Sequence, residues 1–121
     1  MKRVEDVIVN SNNLGEVLLR LGLLQEAKMN LLTALGGAIT IPDKKFEATV
    51  RTNLGSVYVQ ERSYNEALSE WGQAYKLFNK VRNKEKAIEL MAAISGLRRM
   101  LAGGQEGEFK MREDFFNAGE D

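Results

Sequence analysis

The chain has 121 residues, enough for one domain, and its 17 Lys and Arg balance its 17 Asp and Glu, so the formal net charge is zero. This balance argues against nucleic acid as the main ligand, because binding it depends on surplus cations that release counterions. The chain has no cysteine and no histidine, which excludes disulfides, thiolate nucleophiles, zinc sites and an imidazole base.

Apolar residues recur at spacings of three, four and seven along the chain, as in Val4, Val7 and Ile8. This periodicity is typical of amphipathic helices and predicts an all-α fold. Pro42 is expected to follow a helix end, because proline disfavours the α conformation in the residue before it. The predicted helices cover about 3–21, 24–40, 44–61, 64–81, 84–102 and 106–117. Connections of two or three residues predict antiparallel neighbours.

The sequence repeats itself with a shift of 40 residues. The matched positions are Asn13 with Asn53, Leu14 with Leu54, Gly15 with Gly55, Val17 with Val57, Ala27 with Ala67 and Ala34 with Ala74. Small and large residues recur in the same order, which predicts two helix pairs with the same internal packing. Gly15 and Gly55 are expected to let a neighbouring helix approach closely, and Leu31 and Trp71 are expected to fill the gap.

The second copy reads Arg51-x-x-Leu54-Gly55-x-x-Tyr58, then Ala67-x-x-x-Trp71 and Ala74. It resembles the tetratricopeptide repeat, whose pattern is W-x₂-L-G-x₂-Y, then A-x₃-F. Arg51 stands in place of the family's tryptophan. The first copy follows the pattern from Ser11, and a degraded third copy begins at Met91. The period of 40 looks like the longer repeats of kinesin light chains and G-protein-signalling modulators.

The resemblance implies a right-handed α-solenoid of about three antiparallel helix pairs, six helices in all, within one domain over 1–121. The repeats would cover about 4–42, 44–82 and 84–118, the last one degenerate. Such arrays look like non-catalytic scaffolds or adaptors that bind a partner peptide or helix in a concave groove. The implied partner-binding residues are Asn12, Asn13, Glu16, Arg20, Thr49, Asn53, Ser56, Gln60, Glu89 and Arg99. An apolar anchor of the partner would lie near Leu19, Val59 and Met100.

Asn13 and Asn53 occupy one slot in successive repeats. A side-chain amide can pair with a peptide backbone through both its donor and its acceptor. The alternative is that each asparagine bonds to a neighbouring helix and only supports the stack. A ligand like the chaperone tails that some relatives grip by a terminal carboxylate is not expected, because Glu16 and Glu89 would repel it. The mixed charges of the groove instead favour a peptide that carries both signs.

Two rival functions are self-association and a regulatory role within a larger protein assembly. Self-association would use the two ends of the chain, with Val4, Val7 and Ile8 at one end and Phe115 and Phe116 at the other. No catalytic pair, phosphate loop, metal site or cofactor site is predicted, so an enzyme is not expected. Apolar runs are too short to span a membrane, and "MKRVEDVIV" has acidic residues where a secretory signal would be apolar, so a cytoplasmic setting is expected.

Overall fold

A computed structural model describes residues 3–103, and this part of the chain is entirely helical apart from its turns. The helices are α1 (Val4–Arg20), α2 (Leu24–Thr40), α3 (Lys45–Gln60), α4 (Tyr64–Lys80) and α5 (Lys84–Gly103). The all-α prediction is confirmed, and helix α2 ends two residues before Pro42 as expected. The predicted sixth helix, 106–117, lies outside the described residues.

Each helix packs on its neighbours in the chain. Helix α1 packs on α2 and α3 packs on α4, and the three-residue turns within these pairs make the partners antiparallel. Helix α3 also contacts both helices of the first pair, and α5 contacts α4. The helix pairs are therefore stacked one on the next, as expected of a helical repeat array.

Three of the four connections use the same turn. After α1, the backbone N–H of Gly22 donates to Leu19 O and that of Leu23 to Leu18 O. The same two hydrogen bonds follow α3 and α4, where Arg62 and Arg82 take the place of Gly22. These three residues have positive φ angles of 78°, 64° and 62°. This is the Schellman arrangement, which satisfies the last carbonyls of a helix and usually has glycine at the left-handed residue.

A glycine in the first helix of each pair lies against a large side chain of the second. A Cβ atom on Gly15 would lie 2.7 Å from Leu31 Cγ, and a Cβ atom on Gly55 would overlap the indole of Trp71. The indole is fixed in place, since Trp71 Nε1 donates a hydrogen bond to Thr52 O at 3.0 Å. Both predictions made for these glycines and their large partners are confirmed.

The buried apolar side chains form two clusters that meet at α3. The first cluster joins α1, α2 and α3 through Ile8, Leu19, Ala27, Leu31, Ala34, Ala38, Val50, Leu54 and Val57. The second joins α3, α4 and α5 through Ala48, Val59, Ala67, Trp71, Ala74, Phe78, Ala87, Leu90, Ala93, Ile94, Leu97 and Met100. Tyr58 of α3 packs against both clusters.

Arg51, which stands in place of the family's tryptophan, joins α3 to α4 by charge. Its Nε lies 2.8 Å from Glu47 Oε2, and its Nη1 lies 2.8 Å from Glu70 Oε1. Burial alone would lower the pKa of Arg51, but hydrogen bonds to the two carboxylates outweigh it and raise the pKa above its ordinary value. A forked guanidinium suits this position because it can bind two carboxylates at once.

Replacing Gly55 by alanine should destabilise the protein by about 2–3 kcal/mol, because the new methyl group has to displace the indole of Trp71. Gly72 is a matched control within α4, since a Cβ atom there meets nothing within 4 Å. Gly72→Ala should therefore stabilise the protein by about 0.5–1 kcal/mol through helix propensity. Urea denaturation measures both changes, and equal effects of the two substitutions would contradict the packing argument.

Replacing Arg62 by glycine should raise the free energy of unfolding by about 0.5–1 kcal/mol, since relief of the left-handed strain exceeds the entropic cost of glycine. The converse control is Gly22→Ala, where the space for a methyl group is open but φ is +78°. That variant should lose about 1 kcal/mol from backbone strain alone. Thermal and urea unfolding test the pair, and a stabilised Gly22→Ala variant would refute the expected strain.

Candidate functional site

The predicted partner-binding residues all lie on the first helices of the pairs, α1, α3 and α5. We call their common surface the first-helix face. Five of the ten residues are exposed, namely Asn13, Arg20, Thr49, Gln60 and Arg99. Three are half-buried, namely Glu16, Asn53 and Glu89, and two are buried, namely Asn12 and Ser56. The shift of 40 puts several of them in shared slots: Asn13 with Asn53, Glu16 with Ser56, Arg20 with Gln60, and Thr49 with Glu89.

An amide pair joins α1 to α3 within this face. Asn53 Nδ2 donates a hydrogen bond to Asn12 Oδ1 at 3.0 Å. Asn12 is only 8% exposed, so this bond satisfies a polar group that the packing has buried. Asn53 therefore supports the stacking of α3 on α1. This agrees with the alternative expectation for these asparagines, in which each bonds to a neighbouring helix. Asn13 is exposed, and it is Asn12, one residue earlier, that meets Asn53.

The hydroxyl groups of α3 turn back to their own helix. Thr49 Oγ1 donates to Lys45 O at 3.0 Å, Thr52 Oγ1 to Ala48 O at 2.9 Å, and Ser56 Oγ to Thr52 O at 3.2 Å. This back-bonding to the carbonyl four residues earlier is common for hydroxyl side chains inside helices. Each bond uses the single donor of its hydroxyl group, so these residues offer a ligand only an acceptor.

Three charged residues of the face are paired along their own helices, namely Glu16, Arg20 and Glu89. Arg20 Nη2 lies 3.1 Å from Glu16 Oε2, and Lys86 Nζ lies 3.4 Å from Glu89 Oε2. Exposed pairs of this kind contribute little to stability and exchange partners easily. The face therefore carries both signs of charge, and Glu16, Arg20 and Glu89 each lie in a compensating pair.

The apolar residues expected to hold an anchor of the partner belong to the core. Leu19, Val59 and Met100 are 7%, 8% and 6% exposed. The expected apolar anchor site is wrong, because these side chains are buried in the two core clusters. Ile8 is likewise only 1% exposed, so the expected contribution of Ile8 to self-association through the chain end is wrong.

Arg99 and Ala92 line a separate groove between α4 and α5, of about 560 Å³. Its other lining residues are Tyr75 and Asn79 of α4, and Lys84, Ala87, Ile88, Met91 and Ser95 of α5. In the 40-residue register, Ser95 corresponds to Gly15 and Gly55, the positions that lie against Leu31 and Trp71. In the first two pairs, α2 covers this side of α1 and α4 covers this side of α3. The groove therefore lies on the side of α5 that corresponds to these covered sides.

Sequence reasoning did not single out this groove, although a signal for it exists. Ile88 is 55% exposed and Met91 is 38% exposed, whereas Ala48, in the slot of Ile88, is completely buried. When the copies are aligned slot by slot, Ile88 falls at a position that is buried in the second copy. An apolar residue at such a position indicates a surface that needs a second helix to cover it. The segment predicted to cover them, 106–117, lies outside the described residues.

The described residues show no arrangement for metal chemistry. Among residues 3–103, no group of three or more acidic side chains could hold a metal ion. No helix in that range is long and apolar enough to cross a membrane. What the first-helix face offers is exposed amides, paired charges and helix surface, which suit recognition of another polypeptide.

Asn53→Ala should destabilise the protein by about 1–2 kcal/mol, because it leaves the buried carbonyl oxygen of Asn12 without its donor. Asn13→Ala is the matched control, and it should change stability by less than about 0.5 kcal/mol because Asn13 is exposed. Urea denaturation of Asn12→Ala, Asn53→Ala and Asn12→Ala/Asn53→Ala beside the wild type gives a double-mutant cycle. A coupling energy near zero would show that the amide pair does not hold α1 to α3.

Comparison with known proteins supports the repeat reading. The family profile described as tetratricopeptide repeat matches residues 6–80, which is more than half of the chain and covers α1 to α4 almost completely. No curated protein and no solved structure gave a significant match. Repeats of this family are non-catalytic and generally mediate protein–protein interactions. The matched residues, the stacked helix pairs and the recurring glycine contacts lead to one conclusion: the chain belongs to the tetratricopeptide repeat family.

Proposed function

We propose that the chain is a non-catalytic interaction module that binds an extended partner peptide along the first-helix face. The observation that carries this proposal is that exposed polar side chains lie on the successive first helices α1 and α3, in one case in the same slot of the repeat. Arg20 and Gln60 share that slot and both are exposed. An extended peptide crossing α1 and α3 would meet equivalent side chains at each repeat, which suits a stacked array.

The chemistry of the face points to recognition of the peptide backbone. Asn13 and Gln60 are exposed amides, and each offers a donor and an acceptor to a peptide group. Thr49 adds an acceptor, because its hydroxyl proton already bonds to Lys45 O. Asn12, Asn53 and Ser56 act here as supports that fix the spacing of α1 and α3, rather than as contacts of the peptide.

Charged residues would tune the peptide preference. The Glu16–Arg20 pair is exposed, with 40% and 76% of the side chains accessible, so either member can exchange its neighbour for a charge of the partner. Glu89 would extend the same choice to α5, whereas Arg99 lines the separate groove between α4 and α5. A peptide with both signs of charge fits this arrangement better than a uniformly acidic or basic one.

The test begins with a photo-reactive amino acid at position 13 of α1, and in a second variant at position 29 of α2, in lysate of the source cell. Met29 is 69% exposed and lies on a second helix, so it reports contacts outside the first-helix face. We expect a partner that crosslinks from position 13 and not from position 29. The crosslinked peptide is then identified by mass spectrometry, synthesised and titrated against purified protein.

The affinity of that peptide for Asn13→Ala/Thr49→Ala/Gln60→Ala should fall at least about tenfold, because the amide contacts are lost while the core is untouched. Gln73→Ala, an exposed amide on α4, is the control and should change affinity less than about twofold. Circular dichroism confirms that both variants fold. Equal binding by the two variants would move the site away from the first-helix face.

The scaffold or adaptor role and the cytoplasmic setting belong to this proposal, and identification of the crosslinked partner would test both. The second candidate function is self-association, and exposed apolar residues of α1 favour it. A regulatory role within a larger protein assembly would use the same first-helix face. It would differ from the proposed function only in that the module acts as part of that assembly.

A further inference from the structure

Helix α1 and its C-cap residue, Leu21, expose an apolar stripe on the side that faces away from the rest of the molecule. Val7, Leu14, Val17 and Leu21 are 38%, 49%, 51% and 67% exposed. Together with Asn10 they recur at alternating spacings of three and four residues, and we call these five residues the α1 seam. The buried residues of the same helix, such as Ile8 and Gly15, lie on its opposite side.

The same slots are covered in the other copies. Leu54 and Val57 correspond to Leu14 and Val17, and both are 0% exposed. In the third copy Ile94 and Leu97 occupy these slots, at 4% and 0% exposed. They belong to the two core clusters, where the preceding helix pair covers them. The α1 seam thus corresponds to the surface through which the second and third copies pack on the preceding helix pair. On the first helix pair this surface is exposed.

We propose that the α1 seam packs against the α1 seam of a second copy of this chain, in an antiparallel dimer. The spacing of the seam is the a/d pattern of a two-helix coiled coil, with Val7, Leu14 and Leu21 at one position and Asn10 and Val17 at the other. Opposed in antiparallel register, Val7 of one copy meets Val17 of the second. Asn10 of one copy then meets Leu14 of the second.

Charge selects a second copy as the occupant and fixes the direction. Asp6 and Arg20 are 14 residues apart, so they lie on the same flank of the seam at its opposite ends. An antiparallel partner brings Arg20 of one copy beside Asp6 of the other, twice in one symmetric interface. A parallel partner would place Asp6 and Arg20 beside the e positions of the second copy, so neither charge would gain its opposite partner.

The size of the surface sets the expected strength. Helix α1 has 17 residues and is about 25 Å long, so each copy contributes only one helix to the interface. Interfaces of this size lie at the lower end of the specific range, and we expect a dimer with a micromolar dissociation constant.

Sedimentation equilibrium of the full 121-residue chain tests the dimer over a range of about 5 to 500 μM. The wild type should approach twice the monomer mass at the upper end. Leu14→Glu/Val17→Glu should stay monomeric, since it places charges in the centre of the seam. The matched control is Leu32→Glu on α2, where the wild-type side chain is 47% exposed and outside the seam, and it should dimerise like the wild type.

A charge swap tests the direction of pairing. Asp6→Arg alone should weaken the dimer at least about tenfold, and Asp6→Arg/Arg20→Asp should restore it. A wild type that is monomeric throughout, or a Leu14→Glu/Val17→Glu variant that still dimerises, would overturn the proposal. Failure of the double swap to restore the dimer would overturn the antiparallel arrangement. None of these readouts needs the partner peptide, so they are independent of the proposed binding function.

Discussion

The close approach of the two helices within each pair is the constraint on which the rest of the structure depends. A glycine at position 15 or 55 allows a large side chain of the second helix to lie against the backbone of the first. This contact sets the distance and the register of the pair, and the indole of Trp71 reinforces it by donating to Thr52 O. Because both pairs use the same contact, they can stack in the same way and present equivalent slots on their first helices.

Most of the fold could be predicted from the sequence because its signals are local or recur with a fixed period. Helical periodicity, the stop before Pro42 and the shift of 40 residues needed no knowledge of the tertiary structure. The glycine contacts were predictable for the same reason, since Gly55 and Trp71 repeat the order of Gly15 and Leu31. The close approach of the helices has a simple cause, a small residue opposite a large one, and residue size is evident from the sequence.

The candidate site was harder to predict, because its details depend on which side each helix turns towards its neighbours. The slot alignment placed Asn13 and Asn53 together, but the hydrogen bond of Asn53 goes to Asn12 across a helix interface. A rotation of about 100° per residue separates these two positions on α1, and sequence spacing does not resolve it. The same limit applied to Leu19, Val59 and Met100, which are apolar because they are in the core.

The place of α3 in both core clusters has a consequence for how the molecule opens. Helices α1 and α2 contribute to one cluster only, and α4 and α5 only to the other, so either end can detach while the opposite cluster remains intact. The backbone amides in the middle of α3 should exchange most slowly, because both clusters have to open to expose them. Native-state hydrogen exchange should therefore decline from both ends of the described chain towards its middle, with a gradient of protection instead of one cooperative transition.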